Sequence, residues 1–143
     1  MTSRQTHHVA ALAWLAGLAF CATPALAQIK IGVTLSTTGP AVSLGIPEKN
    51  TIALLPKTIA GKTVEYIVLD DASDSSAAVV NTRRLTLEDK VDAIIGSTTT
   101  PNSLAMTDVI AESATPTISL ASSARIIEPM TPKKAWIDRK SVV

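Results

Sequence analysis

Apolar and polar positions alternate from Ile29, where "IKIGVTLS" sets β-branched residues into a strand ending near Leu35. "TTGPAVSLG" follows as a loop. Pro47 suits the first turn of a helix, and Ile52, Leu55 and Ile59 follow at helical spacing, with Pro56 keeping that helix short. "GKTVEYIVLDD" predicts a second strand, entered by a glycine turn and closed by acidic residues. "SDSSAAVVNTRRLTLEDK" predicts a helix capped by Asp74 or Ser75, with Ala77, Val80 and Leu87 on one face. "VDAIIG" is a third strand, and "LAMTDVIAES" a helix whose Ala105–Val109 and Met106–Ile110 pairs form one apolar face. "TPTISLASSA" supplies a fourth strand.

Strands alternating with helices predict an α/β fold with a parallel, doubly wound sheet and helices on both faces. The first, third and fourth strands are apolar enough to be buried on both sides. In such sheets ligands bind beyond the carboxyl ends of the strands. Three loops rich in small polar residues leave those ends: residues 36–45, 97–103 and 121–123.

The stretch "GSTTTPNS" at 96–103 hands a strand over to a helix. A helix starting near Pro101 offers free N–H groups and a positive dipole end, so the loop before it favours an anion. Thr100, Asn102 and Ser103 add donors without charge and are candidate ligands for a small carboxylate. The plainer alternative makes Thr100 the N-cap and Pro101 the first helical residue, the other hydroxyls being solvated. "LASSA" at 120–124 offers a second cleft wall. Asp70, Asp71 and Asp74 in "LDDASD" suggest a metal site or an acid/base pair, but strand-end carboxylates and a helix cap account for them more simply. Neither "TGPAVSLG" nor "GSTTTP" is a phosphate-loop fingerprint.

Composition changes the picture at the amino terminus. Arg4, an apolar stretch from Val9 to Cys21 and "TPALA" with Ala25 and Ala27 form a secretory signal pattern over residues 1–27, predicting cleavage before Gln28. That stretch is short for the ~20 residues that span a bilayer. The leader carries both histidines (His7, His8) and the only cysteine, so a mature chain of about 116 residues contains neither His nor Cys. A histidine base, a cysteine nucleophile, the usual zinc ligands and a hydrolase triad are then excluded from it, and no metal or cofactor is expected. Tyr66 and Trp136 are its only aromatics and its charges balance, which gives no footprint for nucleic acid.

Together, "IKIGVTLSTTGPAVSLG", "VLDDASD", "VDAIIGSTTTPNSLAM" and "TPTISLASSARIIEP" resemble the amino-terminal lobe of periplasmic branched-chain amino acid binding proteins, the type I periplasmic binding protein fold. The resemblance implies a solute-binding component of an ATP-driven importer, not an enzyme, with a membrane permease as partner and a small amino acid or similar carboxylate as ligand. The same fold also serves receptors as an extracellular sensing module. By this resemblance Thr100 holds the ligand's carboxylate, Ala121, Ser122 and Ser123 meet its amino and carboxylate groups, and Ser43 or Leu44 touches its side chain. It implies a partial ligand-binding lobe over residues 28–130, and a divergent tail over 131–143 whose native origin is left open. With the clamping second lobe missing, a truncated, impaired binder of about millimolar affinity is expected.

Overall fold

The computed structural model describes residues 28–140, so the leader assigned to residues 1–27 lies outside the described residues. Strand β1 (Ile29–Leu35) is followed by helix α1 (Val42–Leu54) and a hairpin of β2 (Thr58–Ile59) and β3 (Lys62–Asp70). Helix α2 (Ser75–Arg83), which widens into a π-turn at Arg84–Glu88, leads to β4 (Ala93–Gly96) and helix α3 (Thr100–Ser113). Strands β5 (Thr117–Ser119) and β6 (Ile137–Arg139) complete the order, with 3-10 turns at Ala124–Ile126 and Pro132–Lys134 between them. The sheet runs β2-β3-β1-β4-β5-β6, parallel throughout except for β2.

The α/β class, the parallel sheet and its helical cover are as the sequence predicts. Neighbouring strand positions point to opposite faces, and β4 shows it: Ile94 belongs to a core with Leu85, Met106 and Ile110, whereas Ile95 packs beside Val33, Leu35 and Ile52. Helices α2 and α3 therefore cover one face and α1 the other.

Four local expectations are corrected. Helix α1 begins at Val42, five residues before Pro47, which lies inside it. It ends at Leu54 because Leu55, preceding Pro56, is held extended at ψ 153°. Ile59 accordingly leaves the helical face and lies in β2, reached through a tight turn in which Ala60 and Gly61 both have positive φ. Helix α2 turns Ala78, Thr82 and Leu85 inward and leaves Val80 and Leu87 exposed. Small residues let α2 approach α3, and the Thr82 hydroxyl enters the interior by donating to the Ala78 carbonyl at 2.8 Å. Strand β5 is not buried on both sides: Ile118 is 54% exposed, while Thr117 and Ser119 face the α3 layer. Residues 137–139, within the stretch assigned to the tail, form β6 on β5, with Lys140 N–H donating to the Ser119 carbonyl at 2.9 Å.

Candidate functional site

The loops leaving β1, β3 and β4 are tied together beneath the carboxyl ends of the strands by one buried side chain. Asp71, fully buried, accepts from Ser36 Oγ at 2.7 Å, Ser97 Oγ at 2.6 Å and the Ser73 N–H at 3.0 Å, with a longer contact from Thr34 Oγ1 at 3.4 Å. A buried carboxylate is tolerated when donors surround it, and here those donors fix three loops at once. Asp70 does a related task at the surface, accepting from the Thr37, Thr38 and Ala72 N–H groups and the Thr38 hydroxyl. Burial alone would raise its carboxyl, but these hydrogen bonds outweigh it and hold Asp70 below the usual aspartate value. Asp74 caps α2 by accepting from the Ala77 N–H at 2.8 Å. The three aspartates are thus strand-end ties and a cap; among the described residues no acidic, His or Cys group is arranged to hold a metal ion.

Above this base lies an open cleft of about 460 Å³, lined by Leu44 and Glu48 of α1, Thr98, Thr99 and Thr100, the segment Leu120–Ser122, and Lys140. Its size falls in the roughly 300–1,000 Å³ range of small-molecule sites. Thr99 precedes α3 in an extended conformation, and no side chain caps the helix. The helix therefore starts one residue earlier than the N-cap reading placed it. Pro101 has no N–H and the Ser103 N–H is given to the Thr99 carbonyl, so the first turn leaves free the N–H groups of Asn102 and of the half-buried, cleft-lining Thr100.

The hydroxyls of "GSTTTPNS" divide by depth. Ser97 serves Asp71, Thr98 donates to Glu48 Oε2 at 2.6 Å while accepting from the Ser36 N–H at 3.0 Å, and Ser103 pairs with Ser119 Oγ at 2.7 Å. Thr99 and Thr100 are left to line the cleft. Asn102 and Ser103 do not reach it. Both are buried on the inner side of α3, where Asn102 Oδ1 accepts from Ser75 Oγ at 3.0 Å. Asn102 projects from the side of the helix opposite Thr100, whereas Ser103 shares the Thr100 side but is buried, its hydroxyl taken up by Ser119 Oγ and the Ser97 carbonyl, so neither belongs to the cleft lining.

Ala121 and Ser122 line the cleft, but the Ser122 carbonyl already accepts from Arg139 Nη1 at 3.0 Å. Ser123 lies outside the lining, and its carbonyl accepts the Ile126 N–H at 3.2 Å. Ser43 is exposed on α1, outside the lining, whereas Leu44 is within it. The cleft's charged residues, Glu48 and Lys140, went unnoticed in the sequence. With α1 started at Val42, Leu44 and Glu48 stand at i and i+4 on one face; placing the start at Pro47 hid that signal. Burial pushes the Glu48 carboxyl above its ordinary value, with the Thr98 hydrogen bond and the Lys140 charge pulling the other way and Asp71 adding a smaller upward push.

A profile of the periplasmic binding protein family matches residues 28–135. No curated protein matches the chain. Among solved structures, an extracellular ligand-binding receptor from Rhodopseudomonas palustris HaA2 is 45% identical, with TM-score 0.77, over 79% of this chain and 31% of its own. A solute binding protein of an ABC transporter from Rhodopseudomonas palustris BisB5, in complex with 3,4-dihydroxybenzoic acid, is 30% identical with TM-score 0.72 over 78% of this chain and 31% of its own. A leucine binding protein from Thermotoga maritima MSB8 is 27% identical with TM-score 0.68 over 78% of this chain and 32% of its own. The chain thus spans about a third of the length of these structures.

Proposed function

The chain belongs to the periplasmic binding protein family, and from that premise we propose that its cleft takes a small solute by its carboxylate, a branched-chain or related amino acid, as the extracytoplasmic component of an ATP-driven importer. The observation that carries this reading is the uncapped start of α3, which presents Thr99 and Thr100 to an open cleft instead of closing on its own side chains. A helix amino terminus of this kind favours an anion through its free N–H groups and dipole. Leucine and 3,4-dihydroxybenzoic acid, which two of the similar proteins are described as binding or holding, share a carboxylate. Ala121 and Ser122 form the opposite wall, and Leu44 offers an apolar surface for the solute's side chain. Binding, with no bond made or broken, is the whole of the proposed activity.

A second reading makes the chain part of a ligand-sensing module, favoured by the description of a 45% identical structure as an extracellular ligand-binding receptor. Neighbouring permease and ATPase genes support import; a neighbouring kinase or cyclase gene supports sensing. The carboxylate reading is tested by titrating the chain with leucine and with leucinamide, which lacks the carboxylate. Saturable binding of leucine that is lost with leucinamide supports it. Equal binding of the two refutes it.

A further inference from the structure

Glu48 stands in the cleft without a structural task that needs its charge. One carboxylate oxygen, Oε2, accepts the Thr98 hydroxyl at 2.6 Å, a role an uncharged amide would fill equally well. The residue is half-buried, and the other charged residue of the lining, Lys140, does not form a close ion pair with it among the described residues. The Thr98 hydroxyl is fixed from behind by the Ser36 N–H at 3.0 Å, so the chain Ser36, Thr98, Glu48 aims the carboxylate from a rigid base. Glu48 of α1 lines the same cleft as Thr99 and Thr100 at the start of α3, and it is bonded to Thr98 next to them, so a solute bound at Thr100 has a fixed acceptor beside it. An acceptor held in place before the solute arrives costs little ordering on binding. Its partial burial strengthens any contact it makes to a donor.

We propose that Glu48 is the specificity-determining residue of the cleft, selecting carboxylate solutes that also carry a hydrogen-bond donor, an ammonium or a hydroxyl, placed to meet its carboxylate. The proposal rests on the carboxylate reading above and adds the second half of the solute's chemistry. A cleft lined by both Thr100 and Glu48 discriminates by leaving Glu48 partly desolvated and unanswered when the solute lacks a donor, and an unanswered acceptor costs more than a made bond returns.

The test is a pair of titrations of the full chain, followed by backbone amide chemical shifts, with wild type and Glu48→Gln. Gln retains an acceptor for the Thr98 hydroxyl and so leaves the loop intact while removing the charge. Leucine is compared with 4-methylpentanoate, which lacks only the ammonium, and 3,4-dihydroxybenzoate with benzoate, which lacks only the hydroxyls. Wild type should favour leucine over 4-methylpentanoate by roughly tenfold, the worth of one charge-assisted bond in a half-open site. In Glu48→Gln that ratio should fall to near one, because an amide carbonyl attracts an ammonium far less than a carboxylate does. A benzoate-pair ratio that falls in Glu48→Gln identifies a hydroxyl as the natural donor; a leucine-pair ratio that falls identifies an ammonium. Ratios unchanged by Glu48→Gln in both pairs, with the carboxylates still binding, overturn this proposal alone. No shift with any of the four compounds overturns the carboxylate reading and this proposal with it.

Discussion

Replacing Asp71 with alanine should destabilise the fold by about 4 kcal/mol, close to the limit of what single substitutions do. The carboxyl group is fully buried and takes three short hydrogen bonds, from Ser36 Oγ at 2.7 Å, Ser97 Oγ at 2.6 Å and Ser73 N–H at 3.0 Å. Ser36 and Ser97 are themselves fully buried, so alanine strands two hydroxyls where water does not reach. Each stranded group costs roughly 1–3 kcal/mol, and release of the carboxylate's own burial penalty offsets part of the sum. Against a total stability of about 5–15 kcal/mol this is a large fraction, and it corresponds to a drop of roughly 15 °C in Tm. Asn at 71 keeps the shape and one acceptor, and its amide can donate to a hydroxyl that turns to accept, so Asp71→Asn should cost only about 1–2 kcal/mol. Asp70 is the control: it accepts as many bonds but at the exposed surface, where water replaces them. Asp70→Ala should therefore cost no more than about 1.5 kcal/mol. Urea unfolding with unchanged m-values reads all three. If Asp71→Ala lies within about 1 kcal/mol of wild type, or below Asp70→Ala, burial is not what gives this carboxylate its weight and the loop-tying account fails.

Other consequences follow from single residues. Glu48 has a raised folded value relative to 4.5, so its contribution to stability is full below that pH and is lost as pH rises through the raised value. Glu48→Gln should flatten that segment of the stability profile and leave the chain more stable than wild type at neutral pH; an identical profile would refute the assignment. Asp70, lowered from 3.8, contributes stability that is present above that pH and lost as pH falls below it, and Asp70→Asn should remove this acid limb from urea midpoints measured at decreasing pH. A Cβ at position 45 would meet the Ser36 carbonyl oxygen, which is backbone and has nowhere to go, so Gly45→Ala should cost at least about 1–3 kcal/mol and displace α1 from the cleft. Near-wild-type urea stability of that variant would show that α1 has room to shift. Ile118, exposed on the open face of β5, should drive concentration-dependent association, and Ile118→Lys should reduce light scattering while changing stability by no more than about 0.5 kcal/mol.

Much of the fold was legible because strand alternation and turn residues act locally. The pattern "IKIGVTL" and the acidic close of "VEYIVLD" each marked a strand, and the alternation of strands with helices marked their parallel arrangement. What failed was decided by neighbours distant in sequence. Val80 and Leu87 are as apolar as Val79 and Leu85, yet they stay exposed while Ala78, Thr82 and Leu85 turn inward, small side chains at 78 and 82 permitting close approach to α3. Pro47 misled in a similar way: read as a starting residue, it left Leu44 in a loop and hid its i, i+4 relation to Glu48. Within the hydroxyl-rich stretch, composition could not separate Thr99 and Thr100, which line the cleft, from Ser97 and Ser103, which satisfy buried partners. That division depends on helix phase and on Asp71 and Ser119, contributed by other strands.

The central claim is that the start of α3 receives a solute's carboxylate. Backbone amide shifts of the chain during titration with leucine test it most directly, with about millimolar binding expected of an open cleft. The account predicts the largest shifts at Thr99 and Thr100, with smaller ones at Ala121 and Ser122 across the cleft. Shifts confined to the apolar depression around Ile118 and Trp136, with Thr100 unmoved at saturation, would contradict it.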